Sequence, residues 1–335
     1  MNRISKVRRL GSIFSSYKSG GIFLPYPPLR LWIESTNQCN LRCRVCPNAT
    51  DFDSPRGNMD MTLYRDIIRQ LEHRANDLNL SHRGEPLFHP QLEEMIILAR
   101  HAGMGSRIHT NATKLDENRM RSLLDAGPDL LSFSFDGFDK ETYESVRIGG
   151  VFEETLANIE RLLAEKKQRG NVRPYTIIQI IQPEDADEDY LEKLRAFGRR
   201  FESAGLDKFY IKKPHNWAGN APGDIPAGTG FIPCTFLYYS LTVLWDGTVC
   251  PCPQDWYATM PLGNLRHQSI KEIWNGQPLW DLRKRMQRRD LDGLICASCD
   301  RVFRPAVMGI PTENIKAFFG ETLAGYNLVR KLIRK

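Results

Sequence analysis

The chain has 335 residues, of which 41% are hydrophobic and 10% aromatic. This apolar content can bury a sizeable core, so it excludes a disordered, collagen-like or coiled-coil chain and predicts one large globular domain or two. The net charge of +6 comes from 46 Lys and Arg against 40 Asp and Glu. Part of the excess lies in basic ends at residues 1–18 and 328–335, which are predicted to be solvated tails, because no nucleic-acid motif accompanies them.

The sequence predicts a cytoplasmic protein. No apolar run approaches the roughly 20 residues that a membrane span needs, and residues 15–21 are too polar for a signal-peptide core. Eight cysteines are too few for a disulfide scaffold. In a reducing compartment, clustered thiols favour metal binding or catalysis.

Strand and helix patterns alternate along the first two thirds of the chain. Their apolar spacing predicts strands at about 29–35, 77–82, 106–112, 128–137, 175–182 and 207–213, and helices at 61–72, 89–103, 116–126, 152–170 and 185–205. Repeated strand-helix units of this kind favour a parallel sheet with helices packed outside it, open or closed into a barrel.

The chain changes character at residues 215–233, which are rich in Gly and Pro and are predicted to include a linker. Beyond it, the pattern predicts short strands at 238–245 and 247–250 and one amphipathic helix at 270–286. The C-terminal tail is predicted to be a helix packed on the core, with contact to a membrane surface as the less favoured alternative.

The first cysteine cluster follows the first predicted strand directly. Cys39, Cys43 and Cys46 form a CxxxCxxC loop that is short enough for three thiolates to face one metal centre. A structural zinc site would need a fourth protein ligand, and no His or Cys follows closely. Three cysteines on a four-iron cluster would leave one iron open to a small molecule. A zinc or redox loop is the alternative.

The CxxxCxxC loop at the end of the first strand of such a series resembles the radical S-adenosylmethionine (SAM) superfamily. The resemblance implies an α/β fold, a partial (β/α)6 TIM-like barrel. It also implies a [4Fe-4S] cluster that binds SAM, cleavage of SAM to a 5′-deoxyadenosyl radical, and hydrogen abstraction from a substrate. A flavodoxin- or ferredoxin-like protein would donate the electron.

Further positions match the family where later strands end, which is where barrel folds place their active sites. Gly84, Glu85 and Pro86 resemble the GEP motif, whose residues bind the SAM amino group. The resemblance implies further SAM contacts at Thr110, Asn111, Ser134, Arg147 and Gln179.

The second cysteine cluster lies beyond the predicted linker. The spacing of Cys234, Gly247 and Cys252 resembles the start of a SPASM extension, and Cys296 and Cys299 form a CASC pair with no cysteine after it. The resemblance is to the shortened, twitch form, a small α+β unit whose spacing is most similar to that of radical SAM aminocyclitol dehydrogenases. It implies one auxiliary [4Fe-4S] cluster on four cysteines, suited to electron transfer; a four-cysteine zinc ribbon is the alternative. The expected ligands are Cys234, Cys252, Cys296 and Cys299.

Together these features predict five segments. They are a basic segment at 1–28, a radical SAM core at 29–215, a linker at 216–233, a SPASM/twitch domain at 234–301 and a helical tail at 302–335.

Several functions remain open at the level of sequence. The first hypothesis is oxidation of an alcohol in a small polar substrate, such as a sugar or aminocyclitol, with the auxiliary cluster accepting the second electron. Arg147 and Asp255 are candidate proton acceptors or substrate contacts. The alternatives are redox-neutral epimerisation, maturation of a ribosomal peptide, and a non-catalytic metal-binding protein. Cys250 is interpreted as a small buried residue, a competing cluster ligand, or the hydrogen donor of the epimerase.

Overall fold

The computed structural model describes residues 3–44, 46–49, 55–170, 173–220 and 230–317. The first part of the chain forms six parallel strands. They are β1 (Arg30–Ile33), β2 (Asp77–Asn79), β3 (Gly105–Thr110), β4 (Leu130–Ser134), β5 (Tyr175–Ile181) and β6 (Lys208–Lys212). Successive strands are neighbours in the sheet, as repeated strand-helix-strand units require. The predicted α/β class is therefore confirmed.

One helix precedes these strands and the others connect them. The helices are α1 (Arg3–Ser19), α2 (Met61–Leu71), α3 (Leu92–His101), α4 (Glu117–Ala126), α5 (Lys140–Val146), α6 (Phe152–Gln168) and α7 (Glu188–Arg199). Four of them begin after an aspartate whose side chain accepts a backbone N–H in the first turn, which is the preferred helix cap. These caps are Asp60, Asp116, Asp139 and Asp187.

The core lies between the sheet and the helices. In α2 the buried residues recur at helical spacing, with Tyr64, Ile67, Ile68 and Leu71 all facing inward. The sequence predicts this helix and β5 to within one residue because their apolar patterns are strong.

The remainder of the chain continues the same sheet. Its elements are α8 (Phe236–Tyr239), β7 (Ser240–Val243), β8 (Thr248–Cys250), β9 (Gly263–Asn264), α9 (Ile270–Trp274), α10 (Gln277–Arg288), β10 (Ala306–Val307), β11 (Ile310–Pro311) and α11 (Thr312–Ala317). β7 pairs in parallel with β1 on the side away from β2, with Leu31 opposite Leu241. β8 and β9 then add antiparallel strands. The predicted C-terminal extension thus shares its sheet with the barrel.

The predicted helix at 270–286 is two helices. α9 ends at Trp274 and α10 begins at Gln277, with Gly276 as its N-cap residue. The Asn275 side chain bonds to both the N–H and the carbonyl of Leu24. This contact, distant in sequence, fixes a break that the periodic pattern does not reveal.

The basic N-terminal segment is not a solvated tail in its described part. It forms α1, and Ile13 and Tyr17 are buried. The Tyr17 hydroxyl lies 2.9 Å from the carbonyl oxygens of both Pro233 and Gly309. α1 therefore packs against the C-terminal extension.

None of the helices in the described part of the chain combines the length and apolar character that crossing a membrane requires. The C-terminal tail is described only as far as α11, so the rest of the predicted tail helix lies outside the described residues.

Candidate functional site

The CxxxCxxC loop leaves the sheet after β1 and pairs with the segment that follows α5. The backbone N–H of Arg42 donates to Ile148, that of Arg44 donates to Val146, and both distances are 3.0 Å. Burial raises the pKa of the Cys39 thiol to about 11 and that of Cys46 to about 12. A metal centre would bind the thiolates, so its arrival must release these protons.

Two polar side chains reach the thiols of this loop. The Arg147 guanidinium donates to Cys43 Sγ at 3.5 Å, and the Asn111 amide lies 3.9 Å from Cys39 Sγ. Arg147 also forms an ion pair with Asp136 at 2.6 Å. Burial alone would lower the pKa of Arg147, but Asp136 and Cys43 outweigh it and raise that pKa. Arg147 is therefore a fixed cation, which does not suit the role of proton acceptor.

The loop after β2 approaches the loop after β1 closely. A Cβ added to Gly84 would lie 2.8 Å from the backbone of Asn37 and closer still to the Thr36 carbonyl. Only glycine fits such an approach without movement of the backbone. The Glu85 N–H donates to the Gln38 carbonyl at 2.8 Å and joins the same two loops.

The Glu85 carboxylate accepts three hydrogen bonds from the protein. It accepts from the Thr110 hydroxyl at 2.7 Å, the Asn111 N–H at 2.6 Å and the Leu87 N–H at 3.1 Å. Burial raises the pKa of Glu85, and these donors oppose the rise. Glu85 thus ties together the loops that follow β2 and β3.

These loops enclose a cavity of about 380 Å³ at the carboxyl edge of the parallel sheet. All but one of the residues predicted to bind the first cluster or SAM line it. They are Cys39, Cys43, Cys46, Gly84, Glu85, Thr110, Asn111, Ser134, Arg147 and Gln179. Pro86 is the exception, because it is buried as the first residue of a short 3-10 helix, Pro86–Phe88.

Sequence reasoning missed several other cavity-facing residues of the strands. Arg107 and His109 alternate along β3 and line the cavity, as do Arg30 on β1, Asn79 on β2 and Lys212 at the end of β6. The signal was present, because polar residues two apart on a strand lie on the same face. The other polar and aromatic residues missed are Trp32, Asn48, Ser81, His82, Arg83, His215, Trp217, Phe236, Gln254, Trp256 and Arg301.

Buried carboxylates hold several of the cavity's cations. Asp77 pairs with Arg30 at 2.5 Å and with Arg107 at 3.5 Å. Burial alone would raise the pKa of Asp77, but the two arginines outweigh it and hold that pKa well below its usual range. Glu34 pairs with Arg83 at 2.5 Å, and Arg83 also donates to the Trp256 carbonyl, which joins the barrel to the extension.

The extension brings four thiols into electrostatic contact. Burial raises the pKa of Cys252, and the thiols of Cys234, Cys296 and Cys299 raise it further. The electrostatic effects on the fully buried Cys250 come from Asp255, Arg83 and Glu34 and not from these thiols. Electrostatics therefore groups Cys252, and not Cys250, with the other three thiols.

The two residues predicted as catalytic are not among the residues that line the cavity. Neither Cys250 nor Asp255 lines it. The Asp255 carboxylate accepts from the N–H and the hydroxyl of Thr259, both at 2.8 Å, and from the Met260 N–H at 2.9 Å. Asp255 thus stabilises its own loop, and its carboxylate is already engaged there by three donors.

The donor sets fit iron-sulfur clusters. One short loop supplies three thiols to the cavity, and the extension supplies four. Within the described ranges, no three His, Cys, Asp or Glu side chains converge as ligands of a single metal ion do. Cluster ligation places each thiolate on its own iron.

Comparison with known sequences agrees with this geometry. Residues 33–197 match the Radical SAM superfamily, and residues 234–300 match SPASM, an iron-sulfur cluster-binding domain. The chain is 28% identical over 319 residues to the PqqA peptide cyclase of Gluconobacter oxydans, covering 83% of this chain and 84% of the relative. It is 22% identical over 279 residues to the S-adenosyl-L-methionine-dependent 2-deoxy-scyllo-inosamine dehydrogenase of Niallia circulans, covering 81% and 92%.

Comparison with solved structures supports the same fold. The crystal structure of BtrN in complex with AdoMet and 2-DOIA superposes with a TM-score of 0.53 at 20% identity, over 85% of this chain and 95% of BtrN. The predicted partial TIM-like barrel with a small C-terminal extension is confirmed. The chain is a radical SAM superfamily enzyme with a SPASM domain, whose cofactors are SAM and iron-sulfur clusters.

Proposed function

We propose that the enzyme oxidises an alcohol carbon of a small polar substrate, a sugar or cyclitol, to a carbonyl group. The observation that carries the proposal is the second group of thiols beside the cavity. Pro253 follows Cys252 directly, Arg301 lies two residues after Cys299, and both Pro253 and Arg301 line the cavity. One fully ligated auxiliary cluster would suit the removal of a second electron.

Cys39, Cys43 and Cys46 would hold the first [4Fe-4S] cluster, and Cys234, Cys252, Cys296 and Cys299 the auxiliary one. When bound, these clusters and SAM supply the radical that removes a hydrogen atom, the electron that generates it, and the acceptor for the second electron. Each turnover would consume one SAM and give one 5′-deoxyadenosine, one methionine and one carbonyl product, with the hydroxyl proton released and the second electron passed to the auxiliary cluster.

The chain's own residues would position SAM and substrate. The proposed SAM contacts among the cavity-lining residues are Gly84, Glu85, Thr110, Asn111, Ser134, Arg147 and Gln179. Arg147 reaches the cavity already charged and held by Asp136, so it would bind an anionic group without first having to be ordered. Pro86 would act indirectly, by shaping the turn after Glu85.

The electron donor is proposed to be a flavodoxin- or ferredoxin-like protein. Seven cluster thiols must stay reduced until iron binds, which favours a cytoplasmic, reducing location. In this proposal the segments 29–215 and 234–301 are the catalytic and auxiliary units. α1 packs against the auxiliary unit, where the Tyr17 ring contacts the Tyr238 ring.

A second candidate is radical modification of a peptide. The 28% identity with the PqqA peptide cyclase of Gluconobacter oxydans over most of both chains favours it. A product that lost two hydrogens through a new bond within a peptide would support this candidate in place of alcohol oxidation. Epimerisation by Cys250 gains no support, because that thiol is fully buried and does not line the cavity.

The test uses anaerobically reconstituted, reduced enzyme with SAM and a panel of sugars and cyclitols deuterated at their carbinol carbons. We expect deuterium in 5′-deoxyadenosine together with a carbonyl product. The Cys39/Cys43/Cys46→Ala triple variant should form neither. A deuterated 5′-deoxyadenosine accompanied by an isomer of the substrate would contradict the proposal.

A further inference from the structure

Six cationic side chains line the cavity, and four of them have a carboxylate partner. Asp77 pairs with both Arg30 and Arg107, and the other two pairs are Arg83 with Glu34 and Arg147 with Asp136. The two remaining cations are Lys212 and Arg301. Throughout the described residues, neither forms an ion pair with a carboxylate.

The carboxylates that act on Lys212 electrostatically are paired with another residue. Asp300 and Glu313 both interact with Lys212 electrostatically, but each forms an ion pair with Arg304, at 3.8 Å and 2.8 Å respectively. Arg304 thus takes the carboxylates that would otherwise neutralise Lys212.

Lys212 and Arg301 come from different parts of the chain and face the same space. Lys212 ends β6 opposite Ile181 of β5, whereas Arg301 belongs to a short 3-10 helix of the extension, Asp300–Val302. The Arg301 guanidinium lies 5.0 Å from the centre of the Phe236 ring, and its buried Nε has no hydrogen-bond partner within the described residues. Two cations that repel each other across a partly buried wall cost folding energy unless an anion joins them.

His215 adds a neutral hydrogen-bonding group to this wall. His215 lines the cavity, and its buried Nδ1 has no hydrogen-bond partner among the described residues. Burial and the cations Lys212, Arg301 and Arg304 lower its pKa to about 2. The imidazole is therefore uncharged at neutral pH, with one nitrogen able to donate a hydrogen bond to an oxyanion.

Only part of the positive charge of this wall balances the negative charges of the auxiliary thiolates. Arg301 and Arg304 lie close enough to Cys234 to lower its pKa against the effect of burial. The charged groups that act on Lys212 are Arg301, Glu313, Asp300 and Arg304, with no thiol among them. The Lys212 charge therefore calls for a different partner.

We propose that Lys212, His215 and Arg301 form a subsite for an anionic group of the substrate, a carboxylate or a phosphate. The subsite deepens the proposed function, on which it rests, because the anion would belong to the molecule whose carbon is oxidised. The oxidised alcohol is then part of an acidic or phosphorylated sugar or cyclitol.

The test measures ligand binding to reconstituted, SAM-loaded holoenzyme by anaerobic calorimetry. The probes are glycerol 3-phosphate, glycerate and glycerol, which share a polyol backbone and differ in the anionic group. We expect at least one anion to bind about tenfold or more tightly than glycerol, because charge-assisted hydrogen bonds are the strong ones. Whether glycerol 3-phosphate or glycerate binds more tightly shows whether the subsite prefers a phosphate or a carboxylate.

Matched variants assign the effect to the subsite. Lys212→Met should weaken anion binding about tenfold, and Lys212→Arg should restore most of it. Lys213→Met is the control, because Lys213 is exposed and does not line the cavity. Equal iron content and circular dichroism in all variants would show that each has folded.

Three results would overturn the subsite. They are equal binding of all three probes, equal effects of the two Met variants, and a loss of SAM affinity in Lys212→Met that matches the loss of anion affinity. The last would assign Lys212 to SAM. If the wild-type enzyme cleaves SAM but binds the anions no more tightly than glycerol, only the subsite is overturned. If the wild-type enzyme does not cleave SAM, the proposed function is overturned.

Discussion

At the scale of residues, most polar side chains of the cavity have fixed partners within the protein. Glu85 holds three donors, Asp136 holds Arg147, and Glu34 holds Arg83. Side chains already held in place lose little freedom when a ligand binds, which favours tight and specific binding. Lys212 and Arg301 have no such carboxylate partner among the described residues, and we therefore assign their end of the cavity to the substrate.

Glu85→Gln tests the role of the carboxylate as a connector of loops. A glutamine has the same shape, but its amide nitrogen would face one of the three donors. We expect a loss of about 1–3 kcal/mol in the free energy of unfolding and a weaker affinity for SAM. Urea unfolding and calorimetric titration with SAM measure the two effects. Glu202→Gln, at an exposed position, should change neither; equal behaviour of the two variants would contradict the role given to Glu85.

The pH dependence of anion binding tests the charge of Lys212. Burial and the neighbouring Arg301 lower the pKa of Lys212 to about 8, against smaller opposing effects of Glu313 and Asp300. The protonated form binds an anion, so affinity should be full well below pH 8 and should fall as the pH rises through that value. Arg304 stays charged throughout, and His215 stays neutral from pH 6 upward.

Lys212→Arg should carry the high affinity to higher pH, because arginine keeps its charge there. A lysine that acted as a general base would give the opposite trend, with activity rising through pH 8 in the wild-type enzyme and lost in the arginine variant. Calorimetric titration of glycerol 3-phosphate between pH 6.5 and 9.5 therefore separates the two roles.

Sequence reasoning identified the residues whose chemistry is local. Cys39, Cys43 and Cys46 share one loop, and Gly84 and Glu85 are adjacent, so a short pattern contains them. Lys212 and Arg301 meet only because β6 and the extension fold onto one cavity. No spacing in the sequence shows that these two residues meet.

At the scale of elements, the site depends on the close approach of the loops after β1 and β2. Gly84→Ala would place a Cβ within 2.8 Å of the Asn37 backbone, which cannot yield as a flexible side chain would. We expect a loss of about 1–3 kcal/mol in stability and displacement of the CxxxCxxC loop, with less iron bound by the three thiols there. Gly11→Ala is the control, since a Cβ at Gly11 has no neighbour within 4 Å and alanine favours a helix interior. Iron analysis and thermal unfolding compare them; equal iron content in both would contradict the prediction.

The elements themselves were predictable where one strong local pattern decides them. α2 follows from its apolar spacing and its Asp60 cap, and β5 from its run of β-branched residues. The break between α9 and α10 has a local signal, Gly276 and Pro278, which the apolar spacing across it outweighed. The contact of Asn275 with Leu24, by contrast, spans most of the chain. Local patterns do not carry information about such distant partners.

At the scale of the whole molecule, the barrel and the extension form one structure. β1 lies between β2 and β7, and its loop carries the first three cysteines while β7 begins just after Cys234. The sheet therefore holds both groups of thiols on a single framework. The sequence indicates both groups but not their connection, since strand pairing between distant segments depends on the complete fold.

Iron content tests this arrangement as a whole. If both sets of thiols bind four-iron clusters, anaerobically reconstituted wild-type enzyme should hold about eight irons per chain. Either the Cys39/Cys43/Cys46→Ala variant or the Cys234/Cys252/Cys296/Cys299→Ala variant should hold about four. Cys250→Ala is the matched control and should keep the full number, because the other three thiols act electrostatically on Cys252 and not on Cys250. A loss of iron in Cys250→Ala would make that thiol a ligand. If the wild-type enzyme holds four irons and the Cys39/Cys43/Cys46→Ala variant holds none, there is no auxiliary cluster. Alcohol oxidation would then lack the electron acceptor that it requires.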